Sequence, residues 1–272
     1  MPSNRIVAIT GASAGIGRAT ALRLARGGAS VVVCARRAER LDRLVSEIAS
    51  AGGAALAVVA DVTREADMER LVARAVERFG RLDVMICNAG FGIAGTIVDI
   101  SGEQMRRLLE VNYLGTYYAA RAALPVFRHQ ATGHLVVISS IAGKRGVPFM
   151  GAYAATKFAQ VGLAECLRSE VSGSNIHVSV VYPVSTPTEF NEVMARESGA
   201  TSQARGPRQH VDEVAAAIAR AIEHPVAEVY PYRKVRGIIW LNAFAPGLCD
   251  RLVKKFGRQP VATGRSEKLN ET

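Results

Sequence analysis

Short apolar segments alternate with longer segments of helical periodicity along this chain. The short segments are apolar at nearly every position instead of at every second one, which is typical of strands covered on both faces of a sheet. The predicted strands are Arg5–Thr10, Ser30–Ala35, Ala55–Ala60, Val84–Cys87, His134–Ser139 and His177–Tyr182.

The intervals between these strands have the three-to-four residue spacing of helices. Between Arg40 and Ser50, for example, apolar side chains recur on one helical face. The predicted helices are Ile16–Gly27, Arg40–Ser50, Met68–Phe79, Glu103–Arg128, Ala152–Val171 and Val211–Glu223. Ala195–Pro207 has small and polar residues without periodicity, and we predict a mobile stretch at a place where such folds carry a lid.

The repeated alternation predicts a doubly wound α/β fold, with a parallel sheet of about seven strands and helices on both faces. With 272 residues, 49% of them hydrophobic, the chain suffices for one full core. We predict one domain over residues 1–258, whose part from about 230 to 258 is a helical extension, and a flexible tail over residues 259–272.

A glycine-rich turn joins the first predicted strand to the first predicted helix. Residues Thr10–Gly17 read TGASAGIG. Such glycines permit a tight turn that brings a pyrophosphate against the helix N-terminus, where free N–H groups and the dipole bind anions. A glycine-rich turn can also lack a ligand, but the strand before it and the helix after it favour a dinucleotide site.

The second predicted strand ends in arginines instead of a carboxylate. Dinucleotide folds often place an acidic residue there to bind the adenosine ribose, whereas here Ala35 precedes Arg36 and Arg37. A guanidinium can pair with a 2′-phosphate, which a carboxylate would repel. We therefore predict NADP(H) as the cofactor, with Arg36 as the selector and Arg37 and Ser13 as helpers. Simple surface charge is the alternative for Arg37.

A second group of polar residues carries candidate catalytic chemistry. Tyr153 and Lys157 are four residues apart, so their side chains share one face of a predicted helix. Ser140 directly follows a predicted strand. The tyrosine–lysine pair alone is weak evidence, but its combination with this serine and the glycine-rich turn strongly indicates an active site.

With these motifs the sequence resembles the short-chain dehydrogenase/reductase family, in its single-domain branch, over residues 5 to about 230. The resemblance implies a Rossmann fold and a catalytic tetrad of Asn112, Ser140, Tyr153 and Lys157. It also implies that Asp61 meets the adenine ring and that Asn88–Gly90 shapes the floor under the cofactor. The expected cofactor-binding residues are Gly11, Ser13, Ala14, Gly15, Ile16, Gly17, Arg36, Arg37, Asp61, Val62, Asn88, Ala89, Gly90, Tyr153, Lys157, Pro183, Thr186 and Thr188.

The family's chemistry is hydride transfer between a nicotinamide cofactor and a carbonyl/alcohol pair. Tyr153 is expected to be the general acid or base, because the Lys157 ammonium would lower a tyrosine pKa that is otherwise about 10. Ser140 would donate to the carbonyl oxygen, and Asn112 would hold a water that relays protons to Lys157. One departure concerns the substrate pocket: Val184 follows Pro183 where the family usually has glycine.

The net charge of +10 is concentrated near the C-terminus, where residues 230–272 hold nine Lys/Arg and three Asp/Glu. In this region basic residues flank apolar and aromatic ones around Trp240, a pattern typical of an interfacial helix at a membrane surface. The alternative is that this segment caps the substrate pocket or a subunit interface. We also predict a homodimer or homotetramer, a small-molecule substrate for which the apolar C-terminal segment favours a bulky, apolar compound, and no nucleic-acid partner.

The cysteines and histidines suggest no special chemistry. The scattered thiols of Cys34, Cys87, Cys166 and Cys249 are predicted to be buried and free, which fits the cytoplasm. The sequence shows neither a secretory signal nor a run long enough for a membrane span. The histidines lack ligand spacing, so we predict no metal. A catalytically silent NADP(H)-binding sensor or scaffold is the alternative function, and the intact tetrad speaks against it.

Overall fold

A parallel sheet of seven strands forms the centre of the molecule in a computed structural model that describes residues 4–198, 202–203, 206–256 and 259–260. The strand order is β3-β2-β1-β4-β5-β6-β8. A two-stranded antiparallel pair, β7 with β9, lies outside this sheet. The strands are β1 (Ile6–Thr10), β2 (Ser30–Ala35), β3 (Ala54–Val59), β4 (Val84–Cys87), β5 (Gly133–Ile138), β6 (Ile176–Val181), β7 (Ser202–Gln203), β8 (Glu228–Val229) and β9 (Gln259–Pro260).

Helices cover both faces of the sheet. The described helices are α1 (Gly15–Arg26), α2 (Ala38–Ser50), α3 (Glu65–Phe79), α4 (Gly102–Leu108), α5 (Gly115–His129), α6 (Gly151–Glu170), α7 (Glu189–Ser198), α8 (Val211–Glu223), α9 (Arg236–Phe244) and α10 (Pro246–Phe256). One apolar core joins the sheet to α3, α5 and α6, and another joins it to α1, α2 and α8. The predicted doubly wound α/β fold is therefore confirmed.

The strand order reverses between β1 and β4, and this reversal positions the site. On one side of this point, β2 and β3 follow β1 toward the edge of the sheet. On the other side, β5 and β6 follow β4 toward the opposite edge. Ligands of open α/β sheets bind in the crevice beyond the carboxyl ends of the strands at such a switch point. The glycine-rich turn after β1 and the segment Asn88–Gly90 after β4 both lie at this edge.

Most predicted elements are observed within a few residues of their predicted ends, but one predicted helix is corrected, and two stretches predicted to be mobile contain secondary structure. The single helix predicted over Glu103–Arg128 is interrupted by a π-helical segment, Leu109–Leu114. Residues 195–198 of the predicted mobile stretch belong to α7, whose apolar side chains pack on the site. Residues 259–260 of the predicted flexible tail pair with β7. Residues 199–201, 204–205 and 261–272 lie outside the described part.

The predicted C-terminal helical extension is present as α9 and α10. None of the α9 residues is buried, and Trp240 and Phe244 are 62% and 83% exposed. Within the described ranges, no helix combines the length and hydrophobicity needed to cross a bilayer. Three of the free cysteines are buried as predicted, whereas Cys166 is exposed, because its position on α6 faces away from the core.

Candidate active site

Glycines bring the turn after β1 against the end of β4. Gly11 and Gly15 have φ values of +66° and +55°, which side chains rarely adopt. A Cβ on Gly11 would lie 2.8 Å from the Ala89 backbone, and one on Gly17 would lie 2.6 Å from the Gly11 carbonyl oxygen. Gly11 and Gly17 are therefore required by close backbone approach, and Gly15 is required by its positive φ.

The N-terminus of α1 fits an anionic group. Its N-cap residue, Ala14, has no side chain that could accept a hydrogen bond from the first turn, and no acidic residue lies in that turn. The leading N–H groups of a helix have no partner within the helix. They can therefore bind the pyrophosphate of a dinucleotide, and Ile16, in the first turn of α1, packs on the apolar core beneath.

A hydrogen-bonded link holds the ends of β1 and β4 together under this turn. The Thr10 hydroxyl accepts from the backbone N–H groups of Asn88 (3.0 Å) and Ala89 (3.1 Å). In return, the Asn88 side chain donates to the carbonyl oxygens of Thr10 (2.9 Å) and Gly11 (3.2 Å). Asn88 thus fixes the position of the turn after β1 relative to the end of β4.

The segment after β3 is also held in a defined shape. Asp61 accepts at Oδ1 from the N–H and hydroxyl of Thr63, at 3.0 and 2.9 Å, and its own N–H donates to Asp67. Val62 packs on Gly115, where a Cβ would lie 2.8 Å from the valine side chain. Asp61 and Val62 therefore lie at the same carboxyl edge of the sheet as the glycine-rich turn.

The two arginines after β2 have different surroundings. Arg37 donates to the Ser13 hydroxyl (2.9 Å) and to both carboxylate oxygens of Glu189 (2.6 and 2.9 Å). These contacts raise the pKa of Arg37 and lower the pKa of Glu189. Arg36 is exposed and makes no side-chain hydrogen bond or ion pair with the residues that the structure describes. The structure therefore brings Arg37, which was expected as a helper, onto Ser13, whereas Arg36 makes no such contact.

Tyr153 and Lys157 lie together on α6, as their spacing predicts. The Lys157 Nζ atom is 5.6 Å from the centroid of the Tyr153 ring, and both residues are buried. Nζ donates to the Ile138 carbonyl oxygen (2.9 Å) and to Oε1 of Gln160 (3.0 Å). Burial lowers the pKa of Lys157 to about 7, because the ammonium loses its water.

Ser140 lies two residues after the end of β5, at the carboxyl edge of the sheet. Its hydroxyl oxygen accepts from the Ala142 N–H (3.1 Å), at the start of a short 3-10 turn, Ile141–Gly143. An acceptor role in that bond leaves the hydroxyl proton available for donation. The neighbouring Ser139 has a structural role, since its hydroxyl donates to the Lys157 carbonyl oxygen at 3.1 Å.

Asn112 lies in the π-helical segment and is fully buried. Its side chain bonds both backbone groups of Phe91, at 3.0 and 2.9 Å, and donates to the Thr156 hydroxyl at 3.0 Å. A Cβ on Gly90 would lie 3.0 Å from Asn112 Oδ1 and 3.6 Å from Lys157 Nζ. Asn112 and Lys157 therefore lie on either side of Gly90, and Tyr153 lies beside Lys157.

Sequence reasoning missed Gln160, which connects three residues of the site. Its Nε2 donates to the Asn112 carbonyl oxygen and to the Thr116 hydroxyl, both at 2.7 Å, while its Oε1 accepts from Lys157. The available signal was its position three residues after Lys157, on the same helical face. A glutamine at an otherwise apolar core position is a candidate network residue.

The segment after β6 closes the site from the other side. The Pro183 carbonyl oxygen accepts from Ile141, and the Thr186 hydroxyl donates to the Val184 carbonyl oxygen (3.0 Å). Thr188 packs on Gly15, with its Cβ 3.3 Å from where a glycine Cβ would lie. Thr188 therefore lies against the glycine-rich turn, and Val184, which departs from the family pattern, is buried.

An apolar cluster includes Tyr153 and side chains of α7. The Phe190 ring packs edge-on against the Tyr153 ring, with the two ring centroids 5.7 Å apart. The cluster contains Ala94, Ala142, Val147, Met150, Tyr153, Ala154, Phe190 and Met194. In contrast, the described residues contain no group of three or more His, Cys, Asp or Glu side chains suited to a metal ion.

The fold and the arrangement of these residues are typical of Rossmann-type oxidoreductases. The family model described as short chain dehydrogenase matches residues 5–198, and the chain belongs to the short-chain dehydrogenase/reductase family. An uncharacterized oxidoreductase of Listeria monocytogenes is 37% identical over 227 residues, covering 82% of this chain and 92% of that protein.

Two solved structures are similar in fold and 28% identical in sequence. An alcohol dehydrogenase from the archaeon Thermococcus sibiricus, complexed with 5-hydroxy-NADP, has a TM-score of 0.75 and covers 84% of this chain and 96% of its own. A 3-ketoacyl-(acyl-carrier-protein) reductase from Brucella melitensis, complexed with NADH, has a TM-score of 0.76 and covers 85% and 98%. Similar structures therefore bind nucleotide cofactors with and without the 2′-phosphate.

Proposed function

We propose that this protein is an NADP(H)-dependent oxidoreductase that reduces a ketone or aldehyde to an alcohol, or catalyses the reverse reaction. The observation that carries the proposal is the buried pair of Tyr153 and Lys157, with Nζ 5.6 Å from the ring centroid. Ser140 and Asn112 complete the proposed tetrad. In this chemistry the bound nicotinamide supplies or accepts the hydride.

The proton chemistry follows from the surroundings of Tyr153. Tyr153 gives its phenolic proton to the forming alkoxide in reduction and takes it back in oxidation. Lys157, when charged, stabilises the phenolate that this transfer leaves. Ser140 donates its free hydroxyl proton to the same substrate oxygen, so negative charge develops against a positioned donor. Asn112 positions α6 through its hydrogen bond to Thr156, and Gln160 positions the Lys157 ammonium beside Tyr153.

The choice of NADP(H) rests on the residues after β2. No carboxylate stands at the strand end, where Ala35 is found, and Ser13 and Arg37 are hydrogen-bonded to each other at 2.9 Å. A fork of guanidinium N–H groups suits the oxygens of a phosphate. Arg36, exposed beside them, adds positive charge for the 2′-phosphate.

We propose a bulky, apolar carbonyl compound as the substrate class. The surfaces next to Tyr153 come from the apolar cluster that includes Met150, Phe190 and Met194. Val184 adds a buried side chain near Pro183, where glycine is usual in the family. A substrate with an apolar body could pack against these side chains, and its binding would leave no polar group of the substrate without a hydrogen-bond partner.

The experiment is NADPH oxidation against a panel of ketones and aldehydes, run beside NADH and beside Tyr153→Phe. We expect turnover with NADPH, weaker turnover with NADH, and a loss of about 10²–10⁴-fold in kcat for Tyr153→Phe, because the proton donor is removed. Tyr117→Phe changes a partly exposed tyrosine of α5 and is the matched control. Retained turnover in Tyr153→Phe would contradict the catalytic assignment, and tight NADPH binding without any turnover would favour the silent sensor.

The proposal includes a homo-oligomer in the cytoplasm. The helices that would form the interface, α5 and α6, expose Tyr117 and Phe158. Apolar side chains exposed on neighbouring helices are typical of a contact between subunits. The free thiols are compatible with a reducing compartment.

We further propose that α9 and α10 contact an anionic lipid surface. Trp240, Phe244, Leu248 and Leu252 are exposed at a regular spacing of four residues across the two helices. The flanking Arg233, Lys234, Arg236 and Arg251 are all exposed and basic. Exposed aromatic residues with basic neighbours match the chemistry of an interfacial helix on acidic headgroups.

Sedimentation with vesicles tests this contact on the full chain. We expect the protein to pellet with phosphatidylserine-containing vesicles and not with phosphatidylcholine alone. The double variant Trp240→Ala/Phe244→Ala should weaken binding by about tenfold or more, because two large apolar side chains no longer enter the interface. The control Ile97→Ala/Val98→Ala removes exposed apolar side chains elsewhere. Equal pelleting of both double variants would argue against the proposal.

A further inference from the structure

A carboxylate from α7 occupies the arginine cluster beside the glycine-rich turn. Glu189, the first residue of α7, accepts from Arg37 through both oxygens, at 2.6 and 2.9 Å, and from Arg40 at 2.8 Å. Arg37 also donates to the Ser13 hydroxyl. Glu189 thus takes up the donors of the very residues on which NADP(H) recognition is proposed to rest.

The donor set suits any oxyanion with two or more acceptor oxygens. A guanidinium fork binds a carboxylate and a phosphate in the same bidentate manner, and a phosphate monoester carries the larger charge. The side chains of Arg37 and Arg40 are each 45% exposed and that of Glu189 is 25% exposed. Ion pairs with this exposure contribute little to stability, so exchange of one anion for another is inexpensive.

We propose that Glu189 is an internal competitor for the 2′-phosphate of NADP(H), and that this phosphate thereby loosens the start of α7 over the active site. The inference rests on the proposed NADP(H) preference and assigns to Glu189 a specificity-determining role that its position in the sequence does not indicate.

The contacts of α7 explain why its first turn matters to the substrate. Phe190, next to Glu189, packs edge-on against Tyr153, with the two ring centroids 5.7 Å apart. The other end of α7 is held separately: the Ser198 hydroxyl accepts from Ala94 N–H (2.8 Å), and Glu197 pairs with Arg107 (3.0 Å). Release of Glu189 would therefore free the turn beside Tyr153 while the far end stays anchored.

Binding of adenosine fragments to the full-length protein tests the competition without turnover. Calorimetry would compare adenosine 2′,5′-bisphosphate with 5′-AMP on wild type, Glu189→Gln and Glu192→Gln. Glu192 is an exposed carboxylate on the same helix and is the matched control. We expect Glu189→Gln to bind the bisphosphate about three- to fivefold more tightly, with 5′-AMP unchanged and Glu192→Gln like wild type.

Hydrogen exchange in the first turn of α7 supplies a second readout. In wild type, the amides of residues 193–195, which donate to carbonyl oxygens of the first turn, should exchange faster with the bisphosphate bound than with 5′-AMP bound. In Glu189→Gln they should exchange fast with either ligand, because the anchoring ion pair is absent.

The outcomes separate the two proposals. If wild type prefers the bisphosphate but Glu189→Gln does not tighten its binding, or weakens both ligands alike, Glu189 is a plain tether and this inference is overturned while the NADP(H) preference stands. If the bisphosphate binds no better than 5′-AMP to either protein, the NADP(H) preference fails and the inference fails with it.

Discussion

At the scale of single residues, the site depends on how a buried lysine is held. Lys157 has two acceptors, the Ile138 carbonyl oxygen and Gln160 Oε1, both of which favour the ammonium. Burial acts against them and lowers the pKa of Lys157 to about 7. A lysine that titrates near neutral pH can take part in proton movement and still be charged when Tyr153 needs a counter-charge.

Gln160→Met should weaken both the fold and this balance. The substitution leaves the Asn112 carbonyl oxygen and Lys157 each with one partner fewer, so we expect a loss of about 1–3 kcal/mol in the free energy of unfolding. Loss of an acceptor also lowers the pKa of Lys157 further, so the pH profile of kcat/KM should shift to lower pH. Urea denaturation and the pH profile measure the two effects. Cys166→Ala, an exposed change on the same helix, is the control. Unchanged stability and an unchanged profile would show that Gln160 is dispensable.

At the scale of elements, the sequence pattern predicts the strands and helices that burial determines. It does not predict elements that depend on contacts between residues far apart in the sequence. The ends of strands β2 and β4 agree with the prediction to the residue, because turn residues on both sides of each apolar run mark where the strand begins and ends. The helix α7 was missed, because only Met194 of its residues is fully buried and its anchor, Glu189, pairs with Arg37 across 152 positions. No local periodicity records such a contact.

The same distinction applies to the candidate site. Residue types and spacing were enough to identify the glycine-rich turn, Tyr153 and Lys157, whose proximity the helix itself guarantees. Whether Arg36 or Arg37 contacts Ser13 could not be predicted, because two adjacent residues give no spacing signal that distinguishes them. Likewise, the π-helical segment around Asn112 shifts backbone hydrogen bonds without changing the apolar pattern, so the sequence indicated one uninterrupted helix.

At the scale of the whole molecule, burying both faces of the sheet places ionisable groups where water cannot reach them. His134, in β5, is almost fully buried, and its Nε2 atom is 2.8 Å from the Ser179 hydroxyl. Burial, together with electrostatic interactions with His177 and Arg5, lowers the pKa of His134 to about 3. The core therefore holds a neutral imidazole that the unfolded chain would protonate readily.

This imidazole should make the whole protein sensitive to mild acid. Between the unfolded pKa of about 6.5 and the folded value, the unfolded state binds the extra proton, so the free energy of unfolding falls as pH decreases through this window. From pH 7 to pH 5 we expect a loss of about 2 kcal/mol from His134 alone. In His134→Gln this part of the decrease should be absent, whereas His129→Gln, an exposed change, should follow wild type. Urea denaturation of the cofactor-free protein at the two pH values measures the difference. Parallel decreases in all three proteins would place the acid sensitivity elsewhere in the molecule.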